Sequence, residues 1–195
     1  MRIKICGITN LKDALDAIDA GADALGFVFY KKSARYITPK DAKNIIAQLP
    51  PFVQTIGLFV NETAQFIDDT CQISGVDIAQ LHFEVEDKLL NQLQTKPLRV
   101  VRAKSKQDIL KYKEEYRIVD AFVDAYGGEG KRVDLTWFDG VDCSKIIIAG
   151  GLNIDNIDEF KSYNFYAYDI SSGVEKEKGI KDKTKMVEFV RRAMS

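Results

Sequence analysis

The sequence has no long apolar run. No stretch approaches the roughly 20 hydrophobic residues that a membrane-spanning helix needs, and the opening MRIKICGITN lacks the apolar core of a secretion signal, so a cytoplasmic protein with no membrane partner is expected. Cysteine is sparse: Cys6, Cys71 and Cys143 are an odd number, without a CxxC pair or the density of a disulfide scaffold, which points to a reducing compartment. Histidine occurs once. His82 has no metal-ligand spacing around it and reads as a core or rim residue. Neither sign of charge is in excess, with 28 Lys and Arg against 29 Asp and Glu, so no global positive field would gather nucleic acid. An anionic ligand would have to be caught locally. Proline numbers only 4, no Pro-, Ser- or Gly-rich linker interrupts the chain, and 195 residues favour one domain spanning 1–195.

What the chain does have is eight short β-rich apolar runs: IKIC, ALGFVF, TIGLFV, VDIAQL, LRVVRA, IVDAFV, KIIIAG and YAYDIS. Their starts lie about 23 residues apart, the length of a strand, a short loop and a helix of three turns. Helical signals fill the gaps. Leu11, Ala14, Leu15 and Ile18 share one face of a helix that stops at Gly21, and Thr38-Pro39 reads as an N-cap followed by the first helical position. Further helices are predicted at Thr63 to Cys71, Val85 to Leu93, Lys106 to Glu115, Leu135 to Asp139, Asp155 to Phe160 and Lys183 to Arg192. The sequon Asn61-Glu62-Thr63 reads as the start of the third helix, with Asn61 as its cap. Strict βα alternation implies parallel pairing, and eight units close into a single-domain α/β fold, a compact (β/α)8 TIM barrel with short loops. An open doubly wound sheet is the alternative, but Cys6-Gly7-Ile8-Thr9 stands where a dinucleotide-binding GxGxxG would be.

Barrel enzymes build their sites at the C-terminal strand ends. Those ends carry Cys6, Ser33, Arg35, Asn61, Gln80, His82, Arg102, Asp124, Gly150, Gly151, Asp169, Ser171, Ser172 and Gly173. Period-two alternation puts Lys4 and Cys6 on one face of the first strand, and Asp120, Phe122 and Asp124 on one face of the sixth. Cys6 and Asp124 can therefore both point into the barrel mouth. A strand cysteine is commonly a small buried hydrophobe, but here an inward Lys4 would favour the thiolate if the two side chains approach. Asp124 precedes a glycine-rich segment, Ala125 to Lys131, expected to be a flexible loop over the mouth, and reads either as a general acid or as a solvated loop carboxylate. Cys71 and Cys143 have no such context and read as structural. IIIAGGLN and YDISSGVE place glycines and hydroxyls after strands seven and eight, where barrels commonly bind phosphate through backbone N–H groups, so a phosphorylated substrate is expected.

KICGIT, GADALGFVFYKKSARYI, QLH, FVD with GGEGK, AGGL and DISSGVEKEKGIKD follow one another in order along the whole chain. Together they resemble the phosphoribosylanthranilate isomerases of tryptophan biosynthesis. The resemblance implies an Amadori rearrangement of a small-molecule phosphoribosyl substrate by general acid-base catalysis, with no metal and no organic cofactor, in a monomer or homodimer. It implies Asp124 as general acid, Cys6 as general base, Arg35 as holder of the anthranilate carboxylate, and Gly150, Gly151, Asp169, Ser171, Ser172 and Gly173 as substrate-binding residues. Three departures stand beside it: Phe83 replaces the glycine of QLHG, the stretch from Asp124 to Gly127 is shorter than the resemblance leads one to expect, and Val133-Asp134-Leu135-Thr136-Trp137 replaces Phe-Asp-Trp. The rival readings are a non-catalytic phosphosugar-binding barrel and an isomerase of a related aminoaldose phosphate.

Overall fold

All eight apolar runs are strands in the computed structural model, which describes residues 1–121 and 132–195. The chain runs β1 (Arg2–Cys6), α1 (Leu11–Asp19), β2 (Ala24–Val28), α2 (Pro39–Ile46), β3 (Gln54–Phe59), α3 (Ala64–Ser74), β4 (Ile78–Leu81), α4 (Asp87–Leu90), β5 (Lys96–Ala103), α5 (Lys106–Ile109), β6 (Arg117–Ala121), β7 (Ile146–Ile148), β8 (Ala167–Ile170), β9 (Glu175–Glu177), β10 (Ile180–Lys181) and α6 (Lys183–Met194). Strands β1 to β8 pair in chain order, all parallel, and β8 pairs back to β1 to close the barrel. β9 and β10 form a small antiparallel hairpin after β8. Among the described residues no helix is long and apolar enough to cross a membrane.

Alternation along the strands sorts the side chains into two cores. Outward residues such as Ile3, Ile5, Leu25, Phe27, Val119 and Ile148 pack with Ala14, Ile45, Ile67 and Phe189 of the helices in one buried shell. Inward residues Leu98, Val100, Ile118, Ile147, Ala149 and Ala167 form a separate apolar plug inside the barrel. The polar strand ends sit above that plug.

Local signals set the helix starts. Asn10 caps α1 by accepting from Asp13 N, and Thr38 caps α2 by accepting from Asp41 N with Pro39 in the first turn. Two expectations need correction. The cap of α3 is Thr63, whose hydroxyl accepts from Phe66 N, while Asn61 lies before it at φ 52° in the left-handed region. The helices predicted at Val85 to Leu93 and Lys106 to Glu115 shrink to the four residues each of α4 and α5, and those at Leu135 to Asp139 and Asp155 to Phe160 are 3₁₀ turns over Leu135–Phe138 and Ile157–Tyr163. α4 buries none of its residues and α5 only Ile109, and a short helix without an apolar face to pack has little to hold it.

Candidate active site

Above the apolar plug the inward positions turn polar. β1 supplies Lys4 and Cys6, β4 supplies Gln80 with His82 just beyond its end, β5 supplies Arg102, β6 Asp120 and β8 Asp169. The β1–β8 register sets Lys4 beside Asp169, and Lys4 Nζ donates to Asp169 Oδ2 at 2.7 Å with both side chains almost fully buried. The other oxygen, Asp169 Oδ1, is buried with no hydrogen-bond partner among the described residues, and Gln80 Oε1 is in the same position. Unsatisfied buried acceptors in a cavity mark places where a ligand donor is wanted. Gly26, across from Cys6 on β2, makes room for the thiol: a Cβ there would lie 2.7 Å from Cys6 Sγ.

The electrostatics of this layer are set by its closeness. Burial works against the charge of Lys4, but the carboxylate of Asp169 and the neighbouring Cys6 outweigh it, so the ammonium holds its proton more firmly than usual. Burial, reinforced by the cations Arg102 and Lys4, pushes His82 down to about 4, which leaves a neutral imidazole at physiological pH. Its Nε2 lies 3.9 Å from Asp120 Oδ2, so the two approach without forming an ion pair. Desolvation and then the negative charge of Asp169 push the Asp120 carboxyl up to about 7, against the pull of Arg102 and Lys4. A carboxyl that keeps its proton near neutrality is what a general acid requires.

At the rim, Arg35 folds back over Gly7, where a Cβ would lie 2.5 Å from its Cδ, and Gly7 is at φ 81°. Its guanidinium makes a two-pronged pair with Glu175, Nε to Oε1 at 2.7 Å and Nη2 to Oε2 at 2.8 Å. Cys6 lies within electrostatic reach of Lys4, Arg35 and Lys181 alike, so three cations surround it. Ser171 Oγ donates to the carbonyl of Cys6 at 3.0 Å, which joins the loop after β8 to the end of β1. Gly150 and Gly151 turn at φ 90° and 66° after β7. Gly173, in the 3₁₀ turn Ser172–Val174, approaches that loop so closely that a Cβ would lie 2.0 Å from Leu152 O. The two loops therefore form one continuous backbone surface.

Of the residues expected from sequence, Cys6, Arg35, Asp169 and Ser171 meet at one mouth, with Gly150, Gly151, Ser172 and Gly173 in the adjoining loops. Asp124 and the segment Ala125 to Lys131 lie outside the described residues. Lys4 does approach Cys6, as the alternation of β1 suggested. Asp120 appeared in the sequence only as a face-mate of Asp124; the signals that single it out, its burial and then the carboxylate of Asp169 on β8, come from the fold. Glu175 and Lys181 were visible only as letters of a motif. Cys71 and Cys143 are buried away from this layer, and burial pushes both thiols up to about 11.

The model of the family described as N-(5'-phosphoribosyl)anthranilate (PRA) isomerase matches residues 3–192. The N-(5'-phosphoribosyl)anthranilate isomerase of Sulfurovum sp. (strain NBC37-1) is 58% identical over 195 residues, covering 100% of both chains. Among solved structures, phosphoribosyl anthranilate isomerase from Thermotoga maritima superposes with a TM-score of 0.92 at 37% identity, covering 100% of this chain and 98% of that one. A second, solved in complex with reduced 1-(o-carboxyphenylamino)-1-deoxyribulose 5-phosphate, gives a TM-score of 0.86 at 36% identity with the same coverage. A third is of monomers generated from the dimeric Thermotoga maritima protein, with a TM-score of 0.88 at 34% identity and again the same coverage. A match over nearly the whole chain in sequence and backbone leaves one conclusion: the chain belongs to the N-(5'-phosphoribosyl)anthranilate isomerase family.

Proposed function

We propose that the polar layer at the barrel mouth performs the Amadori rearrangement of N-(5'-phosphoribosyl)anthranilate to 1-(2-carboxyphenylamino)-1-deoxy-D-ribulose 5-phosphate with Asp120 as general acid and Cys6 as general base. By its family the chain is an isomerase of tryptophan biosynthesis; the assignment of roles rests on the geometry. The acid protonates the ring oxygen of the ribose, the bond from that oxygen to C1' breaks, and the nitrogen lone pair forms an iminium. The base then removes the C2' proton, and the resulting enolamine tautomerises to the ketone. Both groups must reach different atoms of one small sugar, as side chains on separate strand ends can.

The observation that carries this reading is Asp120 holding its proton up to about 7 in the layer that contains Cys6 and its three cations. Cys6, ringed by these cations at the end of β1, is placed to act as the base. Asp124, the acid implied by resemblance, remains the competing carboxyl. We assign the substrate carboxylate to Arg35, whose pair with Glu175 occupies one edge of the guanidinium and leaves the opposite edge for a second carboxylate. The phosphate falls to the backbone around Gly150, Gly151 and Ser171 to Gly173, and Asp169 Oδ1 offers an acceptor to a substrate donor. The relatives include a protein described as dimeric, and a solution mass decides between monomer and homodimer for this chain.

Substrate generated in situ and followed by loss of its anthranilate fluorescence tests the reaction. Well-folded protein without acceleration would leave the non-catalytic phosphosugar-binding barrel or the isomerase of a related aminoaldose phosphate. Cys6→Ala is expected to lose several orders of magnitude in kcat. Asp120→Asn is expected to lose at least about a hundredfold while Asp124→Asn keeps most of the rate. The reverse order would return the acid role to Asp124.

A further inference from the structure

The hairpin β9–β10 supplies Lys181 to the cations around Cys6, and with it buries two opposite charges beside the site. Lys181 Nζ, with a fully buried side chain, donates to Glu175 Oε1 at 3.0 Å and to the Ser171 carbonyl at 3.1 Å. Glu175, its side chain 6% exposed, holds Arg35 at both of its oxygens. The result is an unbroken charged chain from Arg35 through Glu175 and Lys181 to Ser171, whose hydroxyl in turn reaches the backbone of Cys6. The hairpin itself is pinned: Lys181 N donates to Asp13, Lys185 Nζ to the Glu175 carbonyl, and Thr9 Oγ1 to the Gly179 carbonyl at 2.6 Å.

Desolvating several charges contributes little net stability, and apolar replacements of such clusters are often neutral or better. A purely structural brace has no need of them. The two ends of this chain of charges, however, are the two places assigned to anions. We propose that Glu175 and Lys181 are positioning residues: a buried ion-pair bridge that ties the carboxylate-holding Arg35 to the Ser171 phosphate loop and so fixes the separation of the two anion subsites. This rests on the substrate contacts proposed above. Glu175 acts through Arg35 and Lys181 through Ser171, beside the charge that Lys181 places near Cys6. Glu175 cannot be replaced by its amide without loss, because an NH₂ in place of one oxygen meets a cation as donor to donor.

The test is a double-mutant cycle on KM and kcat with N-(5'-phosphoribosyl)anthranilate, alongside titration of the reduced product analogue. Glu175→Gln is expected to raise KM and the analogue Kd about tenfold with kcat within about threefold of the parent, and to weaken inorganic phosphate severalfold although its side chain reaches the phosphate loop only through Lys181. In an Arg35→Ala background the same change should move KM by no more than it moves phosphate affinity, because the carboxylate-holding residue it acts through is gone. Additive effects in the two backgrounds would reduce Glu175 to general structural support and overturn the bridge. If Arg35→Ala alone leaves KM unchanged, the carboxylate assignment fails first, which separates the two failures. Should Glu175→Gln not fold, Lys181→Met reads the bridge from its other end. Lys181→Arg is then expected to restore most of the lost affinity, and Met and Arg variants of equal KM would overturn the proposal.

Discussion

Asp120 ties stability and activity to a single proton. In the folded chain its carboxyl stays protonated up to about 7, whereas in the unfolded chain it ionises near the ordinary value of about 4. Between those limits the folded state binds more protons than the unfolded one, so the contribution is complete below about pH 4 and is lost as pH rises through about 7. Asp120→Asn should remove this slope. Urea unfolding at pH 5 and at pH 8 is expected to show the parent losing more stability than the variant, and equal losses would mean that the carboxyl is not perturbed. For the parent, kcat/KM should decline above about pH 7 as the acid form disappears. At this scale the sequence was informative where one strand sufficed: alternation alone put Lys4, Cys6 and Asp120 on inward faces. It was silent where two distant strands meet. The proton on Asp120 depends on its burial in the closed barrel and then on Asp169 of β8, and Glu175 means little until its partner Arg35 is seen after β2. Placing the acid at Asp120, as proposed, also lengthens its connection to Gly127 along the sequence.

Helices and loops follow the same division between local and distant causes. Caps were legible to within a few residues, because a hydroxyl or amide facing a free N–H is a local event. The choice of Thr63 over Asn61 came down to backbone conformation, with Thr63 extended and Asn61 left-handed. Thr63→Ala should therefore cost about 1 kcal/mol of unfolding free energy, seen as a lower urea midpoint at unchanged m-value. A smaller cost than that of an average surface change would return the cap to another residue. The shortened α4 and α5 have a cause that no window of sequence displays. Outside the barrel, neighbouring Arg99 and Arg117 take over the job of apolar packing. Arg99 donates to the Val85 carbonyl at 3.0 Å, pairs with Asp87 and Glu115, and lies over the Tyr112 ring at 4.1 Å. Arg117 donates to the carbonyls of Ile109 at 2.7 Å and Glu115 at 3.2 Å. Guanidinium forks that satisfy loop carbonyls can hold irregular backbone where a helix would need a face to bury.

The molecule as a whole is a ring whose strands pair with their chain neighbours, apart from the join of β1 with β8. That join carries Lys4 with Asp169 and Ser171 with Cys6, each pair 165 residues apart in sequence. Outside it, Lys181 N reaches Asp13 and Lys183 reaches Asp16. Contacts so distant along the chain are the slow ones to form. In refolding from urea, isomerase activity should return later than far-UV circular dichroism, and simultaneous recovery would show that the ring closes with its first strands. The seam of the barrel and its chemical centre are thus one object. A partly assembled chain, however much helix and sheet it has gained, has Cys6 without Lys181 and Asp120 without the burial and the neighbouring Asp169 that raise its carboxyl, and is expected to stay inactive until the last strand docks.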